Sequence, residues 1–369
     1  MIIGFDAKRA FHNYAGLGNY SRLLIQSLSN LYRDNQYILY TPKYKSNLLN
    51  DFSNNDNCTI ITPKGINLWL PSSFWRSFSI TNQIYNKNVD IFHGLSGELP
   101  FSKLKMPKVV TIHDVIFERY PEYYTSFDRK MYKKKFIHAC NIADIIITVS
   151  KQSADDCIRF LDADPKKIEV AYQSCDPIFF KLQKTEYLSG SYVFPKKFIL
   201  NIGTIEARKN LMNLVKAMPL INEEFSLVVI GRRTPYTSLV EDYLKENNIT
   251  HRVKLMHNIP FSAFPSIYAA ASAFVYPSFF EGFGIPVLEA LAVGTPVAAS
   301  NISSMPEVGG DAALYFDPYK VEDIAEKINI LLNDNESVAS LAKHRNTQLE
   351  KFSIENIAKN VNEIYYSII

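Results

Sequence analysis

Arg208 and Lys209 stand side by side, and about 70 residues further on Glu281 and Glu289 bracket the segment EGFGIPVLE. Two adjacent cations in a turn suit a diphosphate, through charge-assisted hydrogen bonds to its oxygens. Gly282, Gly284 and Pro286 have the composition of a backbone turn feeding a helix N-terminus, a favourable place for a phosphate. The carboxylates pose the question, because an ionised carboxyl group only accepts hydrogen bonds and repels an anion. Glu289 can simply complement the positive end of the helix dipole, and an isolated Arg–Lys pair can be a solvated basic loop. Together the pieces read as one polyanion site with acceptor groups beside it.

The elements that must hold these residues alternate strand and helix. In the first half, MIIGFDA, YILYT, TIIT, VDIFHG, KVVTIHD, DIIITVS and KIEVAYQ are short β-rich runs. In the second, FILNIG, SLVVIG, RVKLMHN, AFVYPS and PVAAS repeat the pattern. Runs apolar on both faces and spaced by helices predict parallel sheets covered on both sides. The fold class is therefore α/β, with two doubly wound domains. Residues 1–180 form the first domain and 181–352 the second, with the join in the irregular stretch 173–197. The last helix, 353–369, puts Ile357, Val361, Ile364 and Ile368 on one stripe, so it packs against another surface. Ligands of such sheets bind beyond the carboxyl ends of the strands. Arg208 and Lys209 follow FILNIG there, and Glu281 follows AFVYPS.

Composition limits the remaining classes. The chain has 369 residues, 47% of them hydrophobic, enough for two cores. A net charge of +3 is too small for a nucleic-acid footprint. Cys58, Cys140, Cys157 and Cys175 are scattered without a CxxC pair, so reduced thiols in a cytosolic protein are expected. The start carries no signal-peptide pattern and no apolar run reaches a membrane span, so the chain is expected to be soluble. Asp162 and Asp164 in DAD mimic a metal-binding pair but lie between a helix and PKKIEV, away from any strand end; no metal is expected.

GTIEARKNL followed by PSFFEGFGIPVLEALAVGTPVAAS resembles the retaining glycosyltransferases of family 4. GLGNYSR (16–22) looks like that family's glycine-rich first loop, VVTIHDV (109–115) its His-Asp element, and EVGGDAALYFDP (307–318) the segment after the donor site. The resemblance covers essentially the whole chain. It implies the GT-B fold, with two Rossmann-like domains facing a central cleft and the final helix crossing back to the first. It implies a nucleotide-sugar donor, a saccharide acceptor and no cofactor. By this resemblance Arg208 and Lys209 neutralise the leaving diphosphate in place of a metal, an electrostatic stabilisation of developing charge. Glu289 accepts from the ribose hydroxyls and Glu281 from those of the transferred sugar. Gly282, Phe283, Gly284 and Ile285 present backbone to phosphate and sugar oxygens. His113 hydrogen-bonds the donor sugar, with His93 a weaker candidate. Gly16 and Gly18 approach the diphosphate or the acceptor, Gly203 and Thr204 belong to the donor site, and the segment around Met256 meets the base.

The sequence departs from the family in two places. Thr204 stands where many members carry Arg, so Arg208 and Lys209 supply the cationic part alone. Asn258 stands where glycine is common, which leaves the base open. GTIEARKN looks most like the members that use GDP-mannose; a UDP-sugar is the alternative. A nucleotide-sugar 2-epimerase and a non-catalytic sugar-nucleotide binder share the architecture. In the first domain, 72–87 carries Phe74, Trp75, Arg76 and Phe78, and 127–138 carries Arg129, Lys130, Lys133, Lys134 and Lys135. A basic and aromatic surface attracts anionic lipid. The expectation is a cytoplasmic enzyme, peripheral on the inner membrane face, acting on a lipid-linked saccharide in envelope polysaccharide synthesis.

Overall fold

Parallel strands need crossovers, and the helical stretches between the apolar runs supply them. A computed structural model of the chain describes residues 1–13, 16–44, 55–181 and 192–369. It divides into two units, Met1–Ser174 with Phe352–Ile369, and Cys175–Lys351. Residues 182–191 of the expected join lie outside the described residues.

The first unit holds a seven-stranded sheet. Its strands are β1 (Ile2–Asp6), β2 (Gln36–Tyr40), β3 (Cys58–Ile61), β4 (Ile91–Gly94), β5 (Lys108–Ile112), β6 (Ile145–Thr148) and β7 (Ile168–Val170). The order is β3-β2-β1-β4-β5-β6-β7, with every pairing parallel. The second unit holds six parallel strands: β8 (Phe198–Ile202), β9 (Ser226–Ile230), β10 (Val253–Met256), β11 (Ala273–Tyr276), β12 (Val297–Ser300) and β13 (Leu314–Phe316). Their order is β10-β9-β8-β11-β12-β13. Each sheet thus reverses its winding once, between β1 and β4 and between β8 and β11. Those reversals open the crevices where doubly wound sheets bind ligands.

Burial on both faces explains the near-continuous apolar runs. In the second unit Ile199, Leu227, Val229, Val275 and Ala298 meet Leu214, Val215, Ile324 and Ile328 from the covering helices. The sixth strand there, LYF, was not expected; three residues with only Phe316 fully buried carry too little period for recognition.

The C-terminal helix Ile354–Tyr366 begins on a Ser353 cap that accepts from the Asn356 amide. It buries Ile357, Val361 and Ile364 and packs in the first unit against α2 (Gly16–Leu31). Ile368, expected on the same stripe, lies beyond the helix end. His93 on β4 stands within hydrogen-bond distance of Tyr365 Oη, 2.6 Å, and of Thr111 Oγ1, 2.8 Å. Both ring nitrogens are therefore occupied. Burial, then the His113 charge, lowers its pKa to about 3. His93 ties the last helix to the sheet, and the expectation of a ligand role for it is corrected.

Three further expectations change. GLGNYSR is the first turns of α2 and not a loop. Tyr14 and Ala15, just before it, lie outside the described residues. The stretch 72–87 is helical as far as Tyr85, with a π turn over Trp75–Ser79, but Trp75 and Arg76 face inward. Only Phe74 and Phe78 of that set are exposed. In the helix Ser126–Ile142, Arg129 and Lys133 pair with Glu118, and Lys135 pairs with Glu98. Lys130 and Lys134 stay exposed. Asp162 and Asp164 serve locally: Asp162 ends a helix in the left-handed region and Asp164 caps the turn at Pro165.

Candidate functional site

Arg208 and Lys209 sit in the turn after β8, and Glu281 in the turn after β11. They are adjacent because β8 and β11 are neighbours at the reversal of the second sheet. Lys209 Nζ lies 2.5 Å and Arg208 Nη1 3.0 Å from the same Glu281 oxygen, Oε1. Arg208 also pairs with Glu206 at 2.6 Å and donates from Nη1 to the Phe280 carbonyl. Lys209 donates to Tyr276 Oη at 2.7 Å and lies over that ring. Burial alone would raise the Glu281 pKa, but Lys209 and Arg208 outweigh it and hold the group at about 2. The same burial lowers the Lys209 pKa against the pull of Glu281. Two carboxylates therefore neutralise two cations.

Backbone support comes from neighbours that sequence spacing does not reveal. Asn210, in the left-handed region at φ 56°, donates from Nδ2 to the carbonyls of Pro277 and Pro318. It pins the turns after β11 and β13 to the Arg–Lys turn. Ser303 Oγ accepts from the Glu281 amide and donates to the Glu281 carbonyl, while Ser304 Oγ reaches the Phe283 carbonyl. Gly282 and Phe283 thus lie in a turn held from both ends. Gly284 caps the next helix, Ile285–Val293, at φ 116°, a conformation that L side chains rarely adopt.

Glu289 lies inside that helix and is buried. Tyr268 donates to its Oε2 at 2.8 Å. Burial raises its pKa to about 7; the Tyr268 bond opposes this and the Asp176 charge adds to it. The two glutamates thus differ by environment: Glu281 is ionised between cations, and Glu289 is poised to lose its proton near neutrality.

Around β9 and β10 the turns interlock. Gly203 donates to the Ile230 carbonyl, and Gly231 to that of Met256. Thr204 is half-buried in the turn after β8. His257 donates from Nδ1 to the Gly231 carbonyl at 2.5 Å, which leaves Nε2 as an acceptor in the neutral ring. Asn258 adopts φ 57°. The position needs the left-handed region, which glycine takes freely and asparagine tolerates.

In the first unit His113 follows β5. It donates from Nε2 to the Leu95 carbonyl at 3.0 Å, and its ring meets Tyr20 edge-on at 4.6 Å. Burial is the main reason its pKa falls to about 4; the Leu95 bond opposes, and Arg9 lowers it further. His113 is therefore neutral at pH 7, with Nδ1 as its acceptor. Gly16 is exposed and Gly18 buried in the first turn of α2. A Cβ on Gly18 would stand 1.8 Å from the Asn13 carbonyl oxygen, so no larger residue fits there.

Glu206, Asn210, Tyr268, Tyr276 and Ser303 escaped the sequence reading. Only Asn210, two residues after Arg208, carried a local signal, because Asn favours left-handed turns.

Two parallel doubly wound units with a polar cluster at the second reversal define an α/β architecture of Rossmann-like units. Residues 192–347 match the model of glycosyl transferases group 1, and residues 14–177 that of glycosyltransferase family 4. The chain is 34% identical over 275 residues to an O-antigen chain mannosyltransferase B of Escherichia coli, covering 72% of this chain and 71% of that one. It is 26% identical over 298 residues to the O-antigen chain mannosyltransferase RfbU of Salmonella typhimurium, covering 80% and 78%. Its fold is that of a sucrose-phosphate synthase from Thermosynechococcus elongatus, with a TM-score of 0.77 at 20% identity over 100% of this chain and 98% of that one. The fold is thus GT-B. The chain belongs to the group 1 and family 4 glycosyltransferases.

Proposed function

We propose that this glycosyltransferase moves a mannosyl residue from GDP-mannose to a lipid-linked saccharide, with retention of anomeric configuration and without a metal, in envelope polysaccharide synthesis. The observation that carries this reading is the Arg208–Lys209–Glu281 cluster at the reversal of the second sheet. It joins two cations fit for a diphosphate to a carboxylate fit for sugar hydroxyls. The mannosyltransferase names of the relatives favour mannose. The donor's diphosphate exchanges with Glu281 and Glu206, and the cations then stabilise negative charge as the sugar leaves. Freed from Lys209, Glu281 accepts from sugar hydroxyls. Glu289, ionised, accepts from the ribose. His113 accepts a sugar hydroxyl proton at Nδ1 in a hydrogen bond, and is too weak a base at a pKa of about 4 to take it outright. In the second unit Gly203, Thr204, Met256 and the Gly282–Ile285 turn line the donor.

For the membrane, Phe74 and Phe78 offer a better contact than the basic helix. Their rings lie 5.1 Å apart, and Phe78 stacks on Phe101, which stacks on His138. Lys103 and Lys134 stand exposed nearby in sequence. Among the described residues no helix is long and apolar enough to cross a membrane.

The test is a donor panel. Purified protein is given GDP-mannose, UDP-glucose and UDP-galactose, with and without a saccharide acceptor. Released nucleoside diphosphate is measured, and the anomer of the product is read by NMR. Release from GDP-mannose and an α product support the proposal; release from a UDP-sugar alone replaces the donor, and a β product overturns retention.

A further inference from the structure

Glu281 is the partner that the two cations of the second unit share. If it moves away, Arg208 keeps Glu206 at 2.6 Å and the Phe280 carbonyl. Lys209 then keeps one partner, the hydroxyl of Tyr276, whose Oη accepts from Nζ at 2.7 Å. Among the described residues no third acceptor reaches Nζ. The Lys209 side chain is only 17% exposed. An ammonium stripped of both partners there would be largely shut off from water, a costly state for a charge.

Tyr276 is fixed where this task needs it. It ends β11, and its backbone is in register with Ala299 of β12. The residue is 2% exposed. Its ring stacks at 5.9 Å on Phe274, two residues back on the same face of the strand, and Phe274 packs at 5.1 Å on Tyr268. Burial first, and then the charge of Glu281, raise its pKa well above that of a free phenol. The hydroxyl therefore holds the ammonium without a negative charge of its own, whereas Glu281 carries the charge that rivals a phosphate. A lysine ammonium has three N–H donors. One is given to Tyr276, so the directions of the other two are set, and one of these two now goes to Glu281.

We propose that Tyr276 is the positioning residue of Lys209: its hydroxyl holds the ammonium in the turn after β8 while a diphosphate takes the place of Glu281. This role rests on the transferase reading, which puts a diphosphate at Arg208 and Lys209, and it adds the group that lets Glu281 leave. No covalent bond changes at Tyr276, and the phenol keeps its proton throughout.

The test is a mutant cycle read by calorimetric titration with GDP and with UDP, the tighter ligand carrying the cycle. Tyr276→Phe removes one oxygen and leaves the ring on Phe274. It should weaken the nucleoside diphosphate about fivefold in the parent, the loss of one hydrogen bond to a charged group. In a Lys209→Gln background there is no ammonium to hold, and the same change should alter affinity less than about twofold. In an Arg208→Gln background the loss of about fivefold should remain. A tyrosine that only packs the sheet would act equally in all three backgrounds, so the cycle separates positioning from structure. Thermal melting confirms that each protein is folded. The role is overturned if Tyr276→Phe binds as tightly as the parent, if its loss is the same in the Lys209→Gln background, or if the parent binds neither ligand. Coupling seen with UDP and absent with GDP replaces the donor of the proposed reaction and leaves Tyr276 its role. Tight GDP binding without coupling keeps that donor and removes the role.

Discussion

Two glutamates of the same turn and helix are set to different chemistry by their surroundings. Glu281 lies between Lys209 and Arg208 and stays ionised. Removing it leaves Lys209 without a carboxylate and Arg208 with Glu206 alone. Glu281→Ala should therefore bind bare nucleoside diphosphate at least as well as the parent, yet bind intact donor more weakly. Glu289→Ala should weaken both ligands by about 1.5–3 kcal/mol, roughly 10- to 150-fold. Calorimetric titration of both variants with both ligands separates the roles. A diphosphate bound at Arg208 would have to displace Glu206 from a half-exposed pair, and such pairs contribute at most about 1 kcal/mol. Glu206→Gln should tighten nucleoside diphosphate binding up to about fivefold. Glu289 adds a pH dependence. If ionised Glu289 accepts from the ribose hydroxyls, binding below its pKa of about 7 must expel a proton. Affinity should rise with pH between 6 and 8, and Glu289→Gln should flatten that rise while leaving the ligand's own titration. For stability the sign is opposite. The folded state binds this proton more tightly than the unfolded one, so stability falls as pH rises from about 4.5 to about 7.

At the scale of elements, α2 and the helix Ser126–Ile142 make separate predictions. Gly18→Ala forces a Cβ into a backbone carbonyl that cannot rotate aside. It should cost about 1–3 kcal/mol or more, seen as a lower urea midpoint. In the basic helix, the pairing of Lys133 and Lys135 with Glu118 and Glu98 removes them from the pool that a membrane can attract. Lys134→Ser and the double variant Phe74→Ser/Phe78→Ser should reduce binding to vesicles containing phosphatidylglycerol, by about 1 kcal/mol for the lysine. Lys133→Ser should lower stability slightly instead. Equal vesicle binding by all of these proteins and the parent would remove the membrane from the account.

At the scale of the whole chain, the first unit is closed by a segment distant in sequence. Residues 352–369 return to it, and Tyr365 supplies one partner of the buried His93. Tyr365→Phe should cost about 1–3 kcal/mol, because a ring nitrogen shut off from water then lacks its partner. Calorimetric melting measures it. The whole reaction should also run unchanged in excess chelator if Arg208 and Lys209 do the work of a divalent cation. Loss of transfer with EDTA and recovery with Mg²⁺ would overturn that part of the mechanism.

Twelve of the thirteen strands were legible, because strands covered on both faces are continuously apolar and the helices between them are not; only the brief LYF strand escaped. The turns that carry Arg208–Lys209 and Glu281 were legible too, because each follows one of these apolar runs. What stayed hidden depends on contacts between distant segments. That Glu281 and not a solvent ion neutralises Lys209 follows from β8 lying beside β11, where Ile199 pairs in register with Ala273, distant along the chain. That Trp75 is core while Phe78 is exposed follows from which face of one helix meets the sheet. The basic run at 129–135 read as a free surface because its partners, Glu98 and Glu118, lie elsewhere in the sequence. Residue types and periodicity determined the fold class and the reacting groups. Only tertiary structure decided which charges are already paired, because pairing depends on distance in space and the sequence records only distance along the chain.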